Sequence, residues 1–183
     1  MSVKPTIISI AAVSGGGKTT ITKKLSLVLE DTKELFFDDY DFENAPQDIV
    51  QWVDQGADYN LWNLDPLISD IERLKSSREV PTYILLDYPF SYMNDKMKKY
   101  IDLSIYIDTS LDVAMARRIL RDHADSTIND VRNEVKFYLQ YGRVAYLEME
   151  NSIKPISDIV IDVTLPPDKI VELIIKELRD RGL

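Results

Sequence analysis

Thr6 to Val13 is a short, β-branched, almost uncharged run that ends abruptly in Ser14-Gly15-Gly16-Gly17-Lys18-Thr19. Such a run reads as a strand buried on both faces. From Lys18 to Glu30 the apolar residues Ile21, Leu25, Val28 and Leu29 recur at helical spacing. Few folds place a strand, a glycine loop and a helix in that order. The glycines let main-chain N–H groups converge on an anion, and the helix amino terminus adds its partial positive charge. Ala12 to Thr19 follows the pattern G-x-x-x-x-G-K-S/T except that Ala12 stands in place of the first glycine. Ser14, Gly15, Gly16, Gly17, Lys18, Thr19 and Thr20 are therefore the expected phosphate-binding residues of a nucleotide site. In this geometry Lys18 reaches the β and γ phosphates and the Thr19 hydroxyl holds Mg²⁺. No N-K-x-D guanine-reading element is recognisable late in the chain, where Asp108-Thr109-Ser110 stands instead, so ATP is the expected nucleotide.

The rest of the chain alternates in the same sense. Further strands are expected at Leu35–Phe37, Tyr83–Asp87, Leu103–Ile107 and Ile159–Ile161. Helices are expected near Pro46–Gln55, Pro66–Ser76, Leu111–Arg121 and Ile128–Glu150, the last irregular around Gly142. Pro167 to Arg181 closes the chain, with Ile170, Leu173, Ile174 and Leu178 on one face. Uncharged strands alternating with amphipathic helices specify an α/β fold with helices on both faces of a parallel sheet. Its ligands bind outside the carboxyl ends of the strands. The 183 residues read as a single domain, with a helical acceptor-side insertion at about 42–78 and a lid at about 117–128.

Composition narrows the chemistry. With 31 acidic against 22 basic residues the net charge is −9, unsuited to nonspecific nucleic-acid binding or to an anionic membrane. No cysteine and one histidine exclude thiolate and multi-histidine chemistry. No apolar run reaches the roughly 18 residues of a membrane span. Met1-Ser2-Val3-Lys4-Pro5 lacks a secretory h-region, so a cytoplasmic protein is expected; its oligomeric state is not legible.

Carboxylates, hydroxyls, Lys and Arg must then carry any catalysis. Asp87 ends an Ile/Leu strand, where a carboxylate can hold the Mg²⁺ shell, though it also suits a cap. Asp38 and Asp39 end the second strand, where either could accept a proton from an attacking hydroxyl, or form a solvated acidic turn. Arg117, Arg118 and Arg121 cluster at helical spacing, as suits a transferring phosphoryl group or a surface helix balanced by Asp112 and Asp122.

Four stretches together resemble the phosphate-loop small-molecule kinases, most closely the uridine kinase and phosphoribulokinase-like group. They are Val13–Thr20, Phe37-Asp38-Asp39-Tyr40, Ile107 to Asp122, and Lys154 to Ile161. The resemblance implies the P-loop NTPase fold, with a five-stranded parallel sheet ordered 2-3-1-4-5. It chooses Asp38 over Asp39 as the acceptor-activating base and makes Arg117 and Arg121 catalytic, Arg118 nucleotide-binding, and Thr19 with Asp87 the Mg²⁺ residues. The implied reaction is transfer of the γ-phosphoryl of ATP to a hydroxyl of a small molecule. Three departures stand out: the lid continues as Ala124-Asp125-Ser126-Thr127; the third strand leads into Asp87-Tyr88-Pro89-Phe90, which looks more like dephospho-coenzyme A kinase; and the uridine kinases' tyrosine-containing nucleoside motif is not recognisable between Gly56 and Val80. Uridine, another nucleoside, pantothenate, a nicotinamide nucleoside and dephospho-coenzyme A remain open as acceptors, beside a slow ATPase switch protein. Trp52, Tyr59, Trp62, Tyr88, Phe90 and Tyr92 would either line an acceptor pocket or complete a core. Tyr141 and Arg143 follow the lid and are further acceptor contacts by family position alone.

Overall fold

A computed structural model describes residues 4–183; Met1, Ser2 and Val3 of the amino-terminal reading lie outside the described residues. Five strands form one parallel sheet: β1 (Thr6–Ala11), β2 (Thr32–Phe36), β3 (Tyr83–Asp87), β4 (Leu103–Asp108) and β5 (Ile159–Asp162). Their order is β2-β3-β1-β4-β5, as the family resemblance implied. The helices are α1 (Lys18–Ser26), α2 (Ile49–Asp54), α3 (Asp65–Lys75), α4 (Leu111–Asp122), α5 (Ile128–Phe137), α6 (Arg143–Glu148) and α7 (Pro167–Arg181), with short 3-10 and π turns between them.

Strand alternation divides the core in two. Ile8, Ile10, Leu85, Ile105 and Ile107 face α1 and α7, where Ile21, Leu25, Ile170, Ile174 and Leu178 cover them. Ile7, Ile84, Leu86 and Tyr106 face the opposite way, against Trp52, Tyr59, Leu64, Leu67, Ile71 and Phe90. Both faces of the central strands β1, β3 and β4 are dry, which is why these carry no charge before their carboxyl ends, whereas the edge strand β2 carries Lys33 and Glu34. Register then positions the site. Asp87 lies level with Ile10 on one side and Phe36 on the other, so the carboxyl ends of β1, β2 and β3 form one rim.

Local structure departs from the sequence pattern in five places. α1 stops at Ser26, and the chain turns through Asp31, whose φ is +50°, into β2; Val28 is consequently 58% exposed. In α7 Val171, not Leu173, completes the buried face, because residues one, four and eight beyond Ile170 share its side of the helix. α2 begins at Ile49, where the Asp48 carboxylate caps it by accepting the Gln51 N–H at 2.9 Å, and Pro46 lies outside. β2 ends at Phe36, and Phe37 is drawn into the aromatic core at the start of a 3-10 turn with Asp38 and Asp39. Residues 128–153 form α5 and α6 separated by a π turn at Tyr138–Gly142 and followed by another at Met149–Ile153.

The aromatic residues complete a core. Trp52, Tyr59, Tyr88 and Phe90 are buried, and Trp62 and Tyr92 pack against them. Trp52 meets Tyr59 edge-on at 4.9 Å between centroids, and Phe90 meets Trp62 at 5.0 Å. Rings packed edge-on and tilted against one another in this way belong to the core.

Candidate active site

The glycine loop joins β1 to α1 and holds its shape through close backbone approaches. The Gly16 N–H donates to the Val13 carbonyl at 2.8 Å, and Gly15 and Gly17 have φ of +78° and +94°. A Cβ on Gly15 would lie 2.1 Å from the Ala114 carbonyl oxygen of α4. At Gly16 a Cβ would lie 2.8 Å from the Ala12 methyl, so Ala12 fits in place of a glycine because Gly16 has no side chain. Thr109, just past β4, donates its buried hydroxyl to the Gly16 carbonyl at 2.7 Å. Sequence reasoning passed over Thr109, whose one signal was its place at a strand exit.

Three side chains meet beside the loop. The Thr19 hydroxyl donates to Asp87 Oδ2 at 2.5 Å, and Lys18 Nζ lies 2.5 Å from Asp87 Oδ1. The Asp87 side chain is 3% exposed, so the lysine contact is a buried ion pair.

A cavity of about 800 Å³ spreads from the loop. Ser14 to Thr20 form its floor. On the β2–β3 side it is bounded by Phe37, Asp38 and Pro89, and α4 contributes Arg117 and Arg121. The β4–β5 side is apolar, with Ile107, Val163, Leu165 and Pro167. A smaller cavity of about 290 Å³ opens beside it, lined by Thr19, Lys23, Phe36, Asp38, Asp39 and Asp87. Asp38 borders both cavities, whereas Asp39 borders only the smaller one.

The three arginines diverge. Arg117 makes no ion pair among the described residues, and Arg121 is held by Asp122, with contacts of 2.6 and 3.1 Å. That bond depresses the Asp122 carboxyl below its usual range. Arg118, grouped with them on spacing, lies outside the cavity lining and binds Glu134, Tyr146 and Asp122 instead. Tyr141 and Arg143 are exposed and also lie outside it.

Among the described residues no group of three or more His, Asp or Glu side chains is arranged to hold a metal ion. The Thr19 hydroxyl and the buried Asp87 carboxylate are nonetheless ligand types that fit Mg²⁺ once Lys18 turns from Asp87 to substrate phosphates, since Mg²⁺ retains waters and draws further ligands from those phosphates.

A glycine loop with Lys18 and Thr19 at the carboxyl rim of a 2-3-1-4-5 sheet defines a phosphate-loop kinase fold. Residues 84–164 match the profile of the Phosphoribulokinase / Uridine kinase family. Curated relatives of the chain carry the name uridine kinase. The one from Macrococcus caseolyticus is 28% identical, over 86% of this chain and 88% of its own length. That from Borrelia garinii subsp. bavariensis is also 28% identical, over 97% of both chains. A deoxyadenosine kinase structure from M. mycoides superposes with a TM-score of 0.55 at 16% identity, over 95% of this chain and 99% of that one, and confirms the fold. The chain is thus similar, in sequence and in fold, to small-molecule phosphotransferases of the phosphoribulokinase / uridine kinase family. Among the described residues no helix is long and apolar enough to cross a membrane.

Proposed function

We propose that the chain transfers the γ-phosphoryl group of ATP, in the presence of Mg²⁺, to a hydroxyl of a nucleoside, with uridine the first candidate. The observation that carries the reading is the convergence of Lys18 and Thr19 on Asp87, with Asp38 bordering the two adjoining cavities. The loop amides of Ser14 to Thr20 would hold the donor phosphates, and the apolar wall of Val163, Leu165 and Pro167 would receive the nucleotide base. Thr19 and Asp87 would hold Mg²⁺, which when bound neutralises charge on the β and γ oxygens. Asp38 would accept the proton of the attacking hydroxyl as its oxygen bonds to the γ-phosphorus and the bond from that phosphorus to the β–γ bridging oxygen breaks, releasing ADP. Arg117 and Arg121, from a lid that begins on α4, would neutralise the three oxygens in flight and help exclude water. The names of the uridine kinase relatives favour a nucleoside acceptor.

The test is a panel of hydroxyl acceptors incubated with Mg–ATP: uridine, cytidine, deoxyadenosine, pantothenate, nicotinamide riboside and dephospho-coenzyme A. A phosphorylated nucleoside formed stoichiometrically with ADP, and lost in Lys18→Ala, is the expected result. Phosphorylation of another panel member alone would overturn the nucleoside assignment. ATP hydrolysis that no acceptor alters would overturn transfer itself.

A further inference from the structure

Arg118 lies beside two arginines of the cavity wall yet faces away from it. Its Nη2 lies 2.9 Å from Glu134 Oε1 of α5, its Nη1 donates to the Tyr146 hydroxyl of α6 at 3.2 Å, and its Nε lies 3.5 Å from Asp122. Burial opposes the guanidinium charge, but Tyr146, Glu134 and Asp122 outweigh that opposition and leave its pKa raised. All three nitrogens are thus turned towards Glu134, Tyr146 and Asp122, and the side chain lies outside the cavity lining.

Its backbone faces the other way. The Arg118 main-chain nitrogen lies 3.2 Å from where a Gly15 Cβ would sit, so this turn of α4 abuts the phosphate loop. One residue thus touches the loop with its main chain and α5 and α6 with its side chain. α6 continues into Met149, which lines the cavity. Glu148 of α6 accepts a hydrogen bond from Tyr59 at 2.9 Å, tying it to the segment that carries α2 and α3. Asp122 serves Arg118 and Arg121 together, so Arg118 also bears on an arginine of the wall.

We propose that Arg118 is a positioning residue and not a phosphate ligand: through Glu134, Tyr146 and Asp122 it fixes α6 and Arg121 against α4 and the phosphate loop. The role rests on the kinase reading for its kinetic consequence and on binding alone for its ligand consequence. Arg118→Ala, Glu134→Gln, Tyr146→Phe and the double variant Arg118→Ala/Glu134→Gln are compared for Mg–ATP affinity by calorimetry, then for kcat and acceptor KM. All are first checked for wild-type-like melting.

Arg118→Ala is expected to leave ATP affinity within about threefold while acceptor kcat/KM falls about tenfold or more. Glu134→Gln should reproduce part of that loss, and the double variant should be no worse than Arg118→Ala, because residues acting through one contact are not additive. The loss of Glu134→Gln should, by contrast, add to that of Arg117→Ala, which shares no contact with it. Weakening of ATP binding tenfold or more in Arg118→Ala, with Glu134→Gln and Tyr146→Phe both silent, would make Arg118 a phosphate ligand and overturn the proposal. If Arg118→Ala does not fold, Arg118→Lys replaces it, and Glu134→Gln and Tyr146→Phe each still report. Should the wild type phosphorylate no acceptor, the kinase reading fails by itself; ATP affinity and amide exchange of Arg143–Glu148 then decide. Faster exchange in Arg118→Ala supports positioning, and unchanged exchange overturns it.

Discussion

At the scale of single residues, the site depends on atoms that are missing as much as on those present. Gly15 combines a left-handed φ of +78° with a backbone oxygen 2.1 Å from any added Cβ, so neither the loop nor α4 can absorb a methyl group. Gly15→Ala is therefore expected to abolish ATP binding by calorimetry; retention of near wild-type affinity would show that the loop deforms freely. Asp38 and Asp39 are adjacent, exposed and alike in composition, and only the cavities they border separate them. Asp38→Asn should lower kcat by about 10²- to 10⁴-fold, the usual range for a general base, with little change in ATP affinity. Asp39→Asn should stay within a few-fold of wild type, and the opposite pattern would move the base to Asp39.

Among the α-helices of the described residues, α5 alone buries no side chain. Its support comes from a capping box, in which Thr127 accepts the Asp130 N–H and the Asp130 carboxylate accepts the Thr127 N–H at 3.0 Å, and from the Arg118–Glu134 pair. Thr127→Ala should cost about 1 kcal/mol, a typical N-cap value. The loss should appear as faster amide exchange confined to Ile128–Phe137; protection unchanged there would mean the cap contributes nothing. β3, whose five residues are apolar up to Asp87, could be bounded from the sequence because burial on both faces leaves only uncharged side chains. α1 and α2 could not, since their ends depend on the left-handed turn at Asp31 and on the Asp48 cap. Aromatic spacing was likewise ambiguous between pocket and core, until Phe37, Trp62 and Phe90 were seen to close on one another.

For the whole molecule, titration sets the edges of stability. Asp122 and Asp70 have depressed carboxyl pKa values, Asp122 through Arg121 and Asp70 through Arg73 and Tyr40. The stability they supply is present above their ordinary value of about 4 and is lost as the pH falls through their folded values. At the other extreme, burial raises Tyr59, Tyr88 and Tyr106, with Glu148 adding to the shift at Tyr59. Their protonated form is favoured by folding, so stability is full below about pH 10 and declines above it towards their folded values. Denaturant melts across pH should show a plateau with both shoulders, and tyrosinate absorbance should rise together with unfolding. Early ionisation of these tyrosines in the folded protein would contradict their burial.

The strand–glycine–helix sequence by itself determined a glycine loop of phosphate-binding type on a parallel sheet, because main-chain amides, a helix terminus and uncharged strands are local properties of consecutive residues. It also brought forward Lys18, Thr19, Asp38 and Asp87, each marked by its place at a strand end or loop. The direction in which each arginine points was decided only by the tertiary structure. Spacing puts Arg117, Arg118 and Arg121 on neighbouring parts of one helix, yet Glu134 and Tyr146, 16 and 28 residues further along the chain, turn Arg118 away from the cavity that the other two border. The Thr109 tie to Gly16, across 93 residues, was equally hidden. Such partners are brought together by the fold, and no local periodicity encodes which side chain will find which.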